Sequence, residues 1–295
     1  MKRIAVIGDI ILDKYDYCIN RENPESSAPC YTVEKTIYKP GGAGNAAANL
    51  KTLGSKVTLF GCMGEDESAQ NLKKALSEFE IQTELVSESH RPTILKERVL
   101  SFTDGRYHFR KDTEVKGYLS EEKTAELLEK IKLEKDISLI IVSDYNKGVI
   151  SKQLMDGIKK MGVEIIVDPK PAHKELYKNV FLVTPNIKEA RELSGNKNEL
   201  LGAVSLMTEF NSNILLKRGK DGMSYFGVDD KRFDLPAEAR KVVDVTGAGD
   251  TVVATFAHFY NKGYSIEDSI KLSNKAAGIA VAYPGCYQVK EKELL

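Results

Sequence analysis

The run DVTGAGDT (residues 244–251) passes straight into VVATFAHFYNKG, a stretch whose pattern predicts a helix. The mouth of a helix exposes unpaired main-chain N–H groups and carries partial positive charge, and Gly247, Ala248 and Gly249 have little bulk to keep an anion away from them. Asp250 is the odd member, because a carboxylate beside an anion repels it unless it has a task. Taking the proton from an attacking hydroxyl is such a task, and general-base help contributes about 10²- to 10⁴-fold in rate. A base beside an anion cradle reads as phosphoryl transfer, with Asp250, Gly247, Ala248 and Gly249 as the catalytic group. The competing reading of the same letters is an aspartate that merely favours the helix dipole.

A second glycine cluster, PGGAGNAAANLKTLG, precedes a small-residue helix with a stop at Gly54. It is not GxGxxG and does not follow a first strand, which argues against a dinucleotide loop. Gly41 and Gly42 instead let a polyol approach the backbone, with Asn45 binding a hydroxyl. Asp9 and Asp13 in GDIILD frame the end of the first strand, where two short carboxylates suit bidentate bonding to sugar hydroxyls; turn residues are the alternative. Asn186 and Glu189 in TPNIKEA lie one helical turn apart on one face. Oxygen ligands there suit Mg²⁺ through water, Glu189 being the metal-side residue, while a helix-start cap competes. Lys96 and Arg98, two apart on an expected strand, share a face, with Arg110 and Lys111 beyond the turn. Such a cluster can clamp a terminal phosphate; solvated surface charges are the plain alternative.

Something must position these groups. Short β-branched runs (RIAVIGD, KVTLFGCMG, SLIIVSDY, VEIIVDPK, VFLVTPN, NILLKRG) alternate with amphipathic stretches, the pattern of a doubly wound α/β layer structure with ligands beyond the carboxyl ends of the strands. Ser120 and Ser151 are expected N-caps and Gly162 a helix stop. Residues 14–39 and 91–112 break the rhythm with polar–apolar alternation and a hairpin-like FTDGRY, and are expected to form a small β-lid over the site. One α/β domain with this appendage is expected over 1–295.

Lys plus Arg and Asp plus Glu number 43 each, so no net field draws the chain to nucleic acid or an acidic membrane, and a small partner is the default. No apolar run reaches the roughly 20 residues of a membrane helix, and the N-terminal run is broken by Gly8, Asp9 and Asp13, unlike a signal peptide. A soluble, cytoplasmic protein is expected. Cys18, Cys30, Cys62 and Cys286 lack metal or CxxC spacing and read as reduced structural thiols; His90, His108, His173 and His258 form no metal-like cluster. No GxxxxGK[ST] occurs, which excludes a P-loop.

Taken together, GDIILD, GGAGNAAANLKTLG, TPNIKEA, LLKRGKDGM and DVTGAGDT resemble, in order and over nearly the whole chain, the ribokinase-like, phosphofructokinase-B family of sugar kinases. The resemblance implies a ribokinase-like three-layer α/β sandwich, a mostly parallel central sheet flanked by helices with a β-sheet lid. It implies Asp250 as base, Gly247, Ala248 and Gly249 as anion hole, and Asp9, Asp13, Gly42 and Asn45 around the sugar. Asn186 and Glu189 then organise Mg²⁺ and phosphates, and Lys217, Gly219 and Asn274 face the nucleotide, although Lys217 also reads as an edge-strand charge and Asn274 as a packing residue. ATP and Mg²⁺ are the implied co-substrate and ion, with a monovalent cation as an open addition, and a homodimer through the lid is the implied assembly.

Within the family, NPESSAP, RPTILKERVL, SDYNKGVI, VDPK and VVDVTGAGDTVVA are similar to the branch that phosphorylates D-glycero-D-manno-heptose 7-phosphate. Ser26, Ser27 and Cys30 depart from that branch's lid. The chain contains no HxGH nucleotidyltransferase signature, so nucleotide attachment is expected to need another protein. Ribose, fructose and fructose phosphate kinases are the alternatives in the same fold, and a catalytically silent sugar or nucleotide sensor is the alternative from another class.

Overall fold

Residues Ile4 to Ile7 form an unbroken apolar run, and in the computed structural model, which describes residues 2–114, 117–238 and 241–295, the run is fully buried in mid-sheet. Strands covered on both faces have no solvent side to populate with polar residues, so alternation disappears. In chain order the elements begin β1 (Arg3–Gly8), β2 (Ile10–Arg21), β3 (Cys30–Gly42), α1 (Ala43–Thr52), β4 (Lys56–Met63), α2 (Glu67–Ser77) and β5 (Gln82–Ser87). There follow β6 (Ile94–Ser101), β7 (Tyr107–Thr113), α3 (Glu121–Leu133), β8 (Ile137–Ser143), α4 (Lys152–Lys159), β9 (Glu164–Asp168) and β10 (Leu182–Val183). The last part comprises α5 (Ile187–Ser194), α6 (Glu199–Phe210), β11 (Asn213–Lys217), β12 (Met223–Phe226), β13 (Arg232–Leu235), α7 (Ala248–Asn261) and α8 (Ile266–Ala280).

The larger sheet has the order β13-β12-β11-β10-β9-β8-β1-β4-β5. It is parallel from β11 to β5, with β12 and β13 added antiparallel at one edge. Alternate residues of β1 feed two cores: Ala5 and Ile7 pack with α3, α4 and α6, whereas Ile4 and Val6 pack with α1, α2, α7 and α8. Each fully buried aliphatic side chain contributes roughly 1.5–3 kcal/mol, so this two-sided burial fixes the strand ends that carry the site.

The smaller sheet, β3-β2-β6-β7, pairs β2 with β6 in parallel and the outer pairs antiparallel. The lid thus starts at Ile10, not residue 14, because the chain leaves the main sheet directly after Gly8. Ser120 and Ser151 cap α3 and α4 as expected, Gly162 takes φ 68° after α4, and residues 102–106 turn β6 into β7. VFLVTPN contributes a strand of only two residues and an isolated bridge from Asn186 to Lys217, since Pro185 has no N–H to continue a ladder and Asn186 already opens α5. The four cysteines are unpaired thiols.

Candidate active site

The carboxyl ends of β1, β8, β9 and β11 converge on the N-terminus of α7. Gly247 caps that helix at φ 76° with no side-chain cap, and an added Cβ would lie 2.7 Å from Asn45 Nδ2 and 2.9 Å from Cys286 Sγ. Only glycine fits both the left-handed backbone and that space. Ala248 N–H is turned to Val245 O at 3.2 Å, and Thr251 N–H is the first to donate back into the helix, to Gly247 O at 3.0 Å. Among the described residues, Gly249 and Asp250 N–H find no main-chain acceptor outside the helix. Lys217 Nζ overlooks this turn, 3.3 Å from where a Cβ on Gly249 would stand.

Asp250 is 4 % exposed, and both of its oxygens are held. Asn45 Nδ2 donates to Oδ2 at 2.7 Å and Tyr145 Oη donates to Oδ1 at 3.0 Å. Burial, reinforced by the Asp168 charge, pushes its pKa up to about 7, against the opposing pull of Asn45, Tyr145 and Lys217. A carboxylate with this pKa is matched to proton transfer near neutrality. Asn45, in the first turn of α1, is itself braced: its Oδ1 accepts from Gln288 Nε2 at 3.1 Å and from Asn49 Nδ2 at 3.3 Å.

The two N-terminal aspartates, read together from the sequence, are separated by the fold. Asp9 sits at the crossing between sheets, fully buried, and accepts from the N–H groups of Tyr145, Lys147 and Val149 at 2.9–3.0 Å. Its carboxylate orders the loop after β8 and has no oxygen left unbonded for a sugar. Asp13 lies within β2, with Oδ2 2.4 Å from where a Cβ on Gly41 would stand, a close approach that requires the glycine.

Lys96 and Arg98 do share the site face of the lid, and Arg98 is tied there by Nη1, which donates to Asp13 Oδ1 at 2.6 Å in a buried pair. Register explains the meeting, which spacing along one strand does not encode. Lys39, Asp13, Lys96 and Asp112 form one cross-strand row, and Ile37, Tyr15, Arg98 and Arg110 the next. Arg110 is held by Asp112 at 2.8 Å. Lys39 and Lys96 make no ion pair among the described residues. Lys39 Nζ instead donates to Cys286 O at 3.2 Å.

Asn186 and Glu189 adopt the capping arrangement rather than an open ligand pair. Asn186 Oδ1 accepts from Glu189 N–H at 2.9 Å while Glu189 Oε2 accepts from Asn186 N–H at 3.0 Å. Glu189 Oε1 accepts from Lys170 Nζ at 2.6 Å. With both oxygens bonded, Glu189 can meet a cation only through water or after giving up a partner.

Lys217 Nζ is paired with Asp168 Oδ1 at 2.5 Å, and so belongs to the site and not to a solvated edge. Beyond it, Gly219, Asn274, Val242, Val245, Ala277 and Val281 line a cavity of about 310 Å³ that opens onto Ala248 and Gly249. Asn274 Nδ2 donates to Pro236 O at 2.7 Å.

Sequence reasoning overlooked Tyr145, Asp168, Lys170, Lys39 and Gln288. Asp168 ends β9, while Tyr145 and Lys170 sit just after β8 and β9, and a polar residue at or immediately beyond the end of a buried parallel strand is the signal that could have found them.

The chain matches the model of the pfkB family carbohydrate kinases over residues 1–293. Curated relatives named bifunctional protein HldE include those of Psychromonas ingrahamii, 36% identical over 302 residues, and Azorhizobium caulinodans, 37% identical over 305. In both alignments 99% of this chain is matched to 63% of the relative, so it spans under two thirds of their length. Among solved structures, phosphofructokinase-2 from Escherichia coli in complex with potassium superposes with TM-score 0.83 at 18% identity, covering 100% of this chain and 97% of that one. Arabidopsis thaliana ribokinase complexed with ribose and ATP gives TM-score 0.78 at 22% identity, covering 99% and 97%. These likenesses establish the ribokinase-like α/β fold, and the family match makes the chain a phosphotransferase acting on a sugar. The chain belongs to the pfkB family of carbohydrate kinases.

Proposed function

We propose that the chain transfers the γ-phosphoryl group of ATP to the anomeric hydroxyl of D-glycero-D-manno-heptose 7-phosphate, giving the 1,7-bisphosphate. The observation that carries the reaction type is the buried Asp250 carboxylate, with pKa about 7, at the head of a helix with a glycine cap. The acceptor O–H gives its proton to Asp250 as the new O–P bond forms and the bond from phosphorus to the ADP oxygen breaks. The turn at Gly247, Ala248 and Gly249, with Lys217 above it, receives the charge on the transferring group. ATP lies along the Gly219–Asn274 cavity.

Mg²⁺ supplies neutralisation of phosphate charge when bound. Asn186 and Glu189 offer hard oxygen donors that fit an ion keeping most of its water shell, and Glu189 would hold it through water. The substrate assignment is supported by the resemblance of NPESSAP, RPTILKERVL and VDPK to the heptose 7-phosphate branch, by HldE relatives along the whole chain, and by the Lys39–Asp13–Lys96 row. Asp13 holds a sugar hydroxyl, and the lysines beside it hold the distal phosphate.

ADP release over a panel of phosphorylated and unphosphorylated sugars tests the assignment; preference for an unphosphorylated sugar overturns it. With heptose 7-phosphate, Lys96→Ala and Lys39→Ala are each expected to lower kcat/KM about 10- to 100-fold, the loss of one charge-assisted phosphate contact at about 1.5–3 kcal/mol. Unchanged values in both variants remove the lysines from the substrate site.

Assembly as a homodimer through the lid belongs to the same reading. The lid leaves Ile19, Val33, Phe102 and Phe109 exposed at 44–52 %, apolar surface that a second lid would cover. Sedimentation velocity is expected to show a dimer that Phe109→Asp converts to monomer; a monomeric wild type ends this part of the proposal.

A further inference from the structure

We propose that Tyr145 is the positioning residue of the base, and that it selects Oδ1 of Asp250 as the oxygen that takes the proton. The inference rests on Asp250 being the base.

The two donors on that carboxylate differ in kind. An amide NH₂ can only donate, so Asn45 Nδ2 keeps Oδ2 an acceptor, and Gln288 and Asn49 fix the amide by bonding its oxygen. A hydroxyl donates or accepts after rotation about one C–O bond. When the acceptor hydroxyl transfers its proton to the carboxylate, Tyr145 Oη can reverse and accept from a protonated Oδ1, while Asn45 cannot do the same at Oδ2. No further reactant is needed: the proton leaves the sugar oxygen, rests on Oδ1 and passes to solvent after the products separate.

Tyr145 is built for this place. Its N–H donates to Asp9 Oδ2 at 2.9 Å, fixing the backbone, and Lys170 Nζ stands 5.4 Å from its ring centroid. Asp144, the preceding residue, is buried in a network with His173 Nδ1 at 2.6 Å and Tyr177 Oη at 2.7 Å. The segment therefore cannot drift, and the hydroxyl is left as its one adjustable part. The groups that also bear on Asp250 are Asp168 at the end of β9, Lys217 at the end of β11 and Cys286 in the segment after α8.

The test is the pH profile of kcat for Tyr145→Phe with saturating ATP and the sugar the wild type prefers. The Tyr145 bond stabilises the charged carboxylate, so its loss raises the pKa of the base. The acid limb is expected to move up by about one pH unit or more, turnover below the wild-type midpoint to fall about tenfold, and activity to return at higher pH, with KM for ATP unchanged. Site-specific 3-fluorotyrosine at 145, a stronger donor of nearly the same shape, is expected to move the limb the other way. A uniform loss at every pH, or an unmoved limb in both proteins, overturns the inference. Asp250→Asn separates the two readings: if it retains turnover the base assignment itself fails, and if it is inactive while the Tyr145 limbs stay put, only the role of Tyr145 fails.

Discussion

Asp250→Asn is expected to lower kcat by about 10²- to 10⁴-fold while leaving ATP and sugar binding nearly intact, and to make the protein more stable above neutral pH. The first effect follows because a neutral amide cannot take the acceptor proton. It keeps both neighbours bonded, its amide oxygen accepting from Asn45 Nδ2 and its NH₂ donating to Tyr145 Oη once that hydroxyl turns to accept. The second effect follows from linkage. Burial raises the folded-state pKa of Asp250 from 3.8 to about 7, so its favourable contribution is fully present below the unfolded pKa and is lost as pH rises through 7. The shift corresponds to about 4 kcal/mol at most between those limits. Asparagine does not titrate, so the variant escapes this loss. The measurements are coupled ADP release and thermal unfolding at pH 5 and pH 8, with the gain in Tm over wild type larger at pH 8. Retained turnover, or a gain confined to pH 5, contradicts the account.

Gly247→Ala is expected to cost about 2–5 kcal/mol of stability and to reduce kcat about 100-fold or more. An alanine at φ 76° carries roughly 1–2 kcal/mol of backbone strain, and its Cβ would intrude on Asn45 Nδ2 and Cys286 Sγ, an overpacking worth about 1–3 kcal/mol. The larger kinetic effect arises because the displaced amide is the one that steadies Asp250, and a misplacement near 1 Å can cost about 10²-fold. The double variant Gly247→Ala/Cys286→Ala relieves one of the two clashes. It should regain stability without regaining turnover, which urea denaturation and initial rates read separately; recovery of both together would place the damage at Cys286 instead.

What could be read from the sequence was local. The DVTGAGDT cradle is contiguous, so its chemistry survives without knowledge of the fold, and the β-branched runs report their burial through composition alone. Partner choice was not legible. The spacing of Lys96 and Arg98 gives their common face, yet whether Arg98 is free depends on β2 lying parallel to β6 with Tyr15 opposite it and Asp13 within reach. Asn186 and Glu189 satisfy both a ligand pair and a capping box at the same spacing, and only in the folded chain is it evident that the helix start has claimed them. Tyr145 reaches Asp250 across 105 positions, a contact created by strand order rather than by any neighbouring letters.

The lid strand β3 ends at Gly42 and α1 begins at Ala43, with no loop between them. The small sheet is therefore rigidly geared to Asn45, three residues past the joint, and so to the carboxylate behind it. Any shift of β3 is thereby carried into α1 and to the Asn45 amide that holds Asp250 Oδ2.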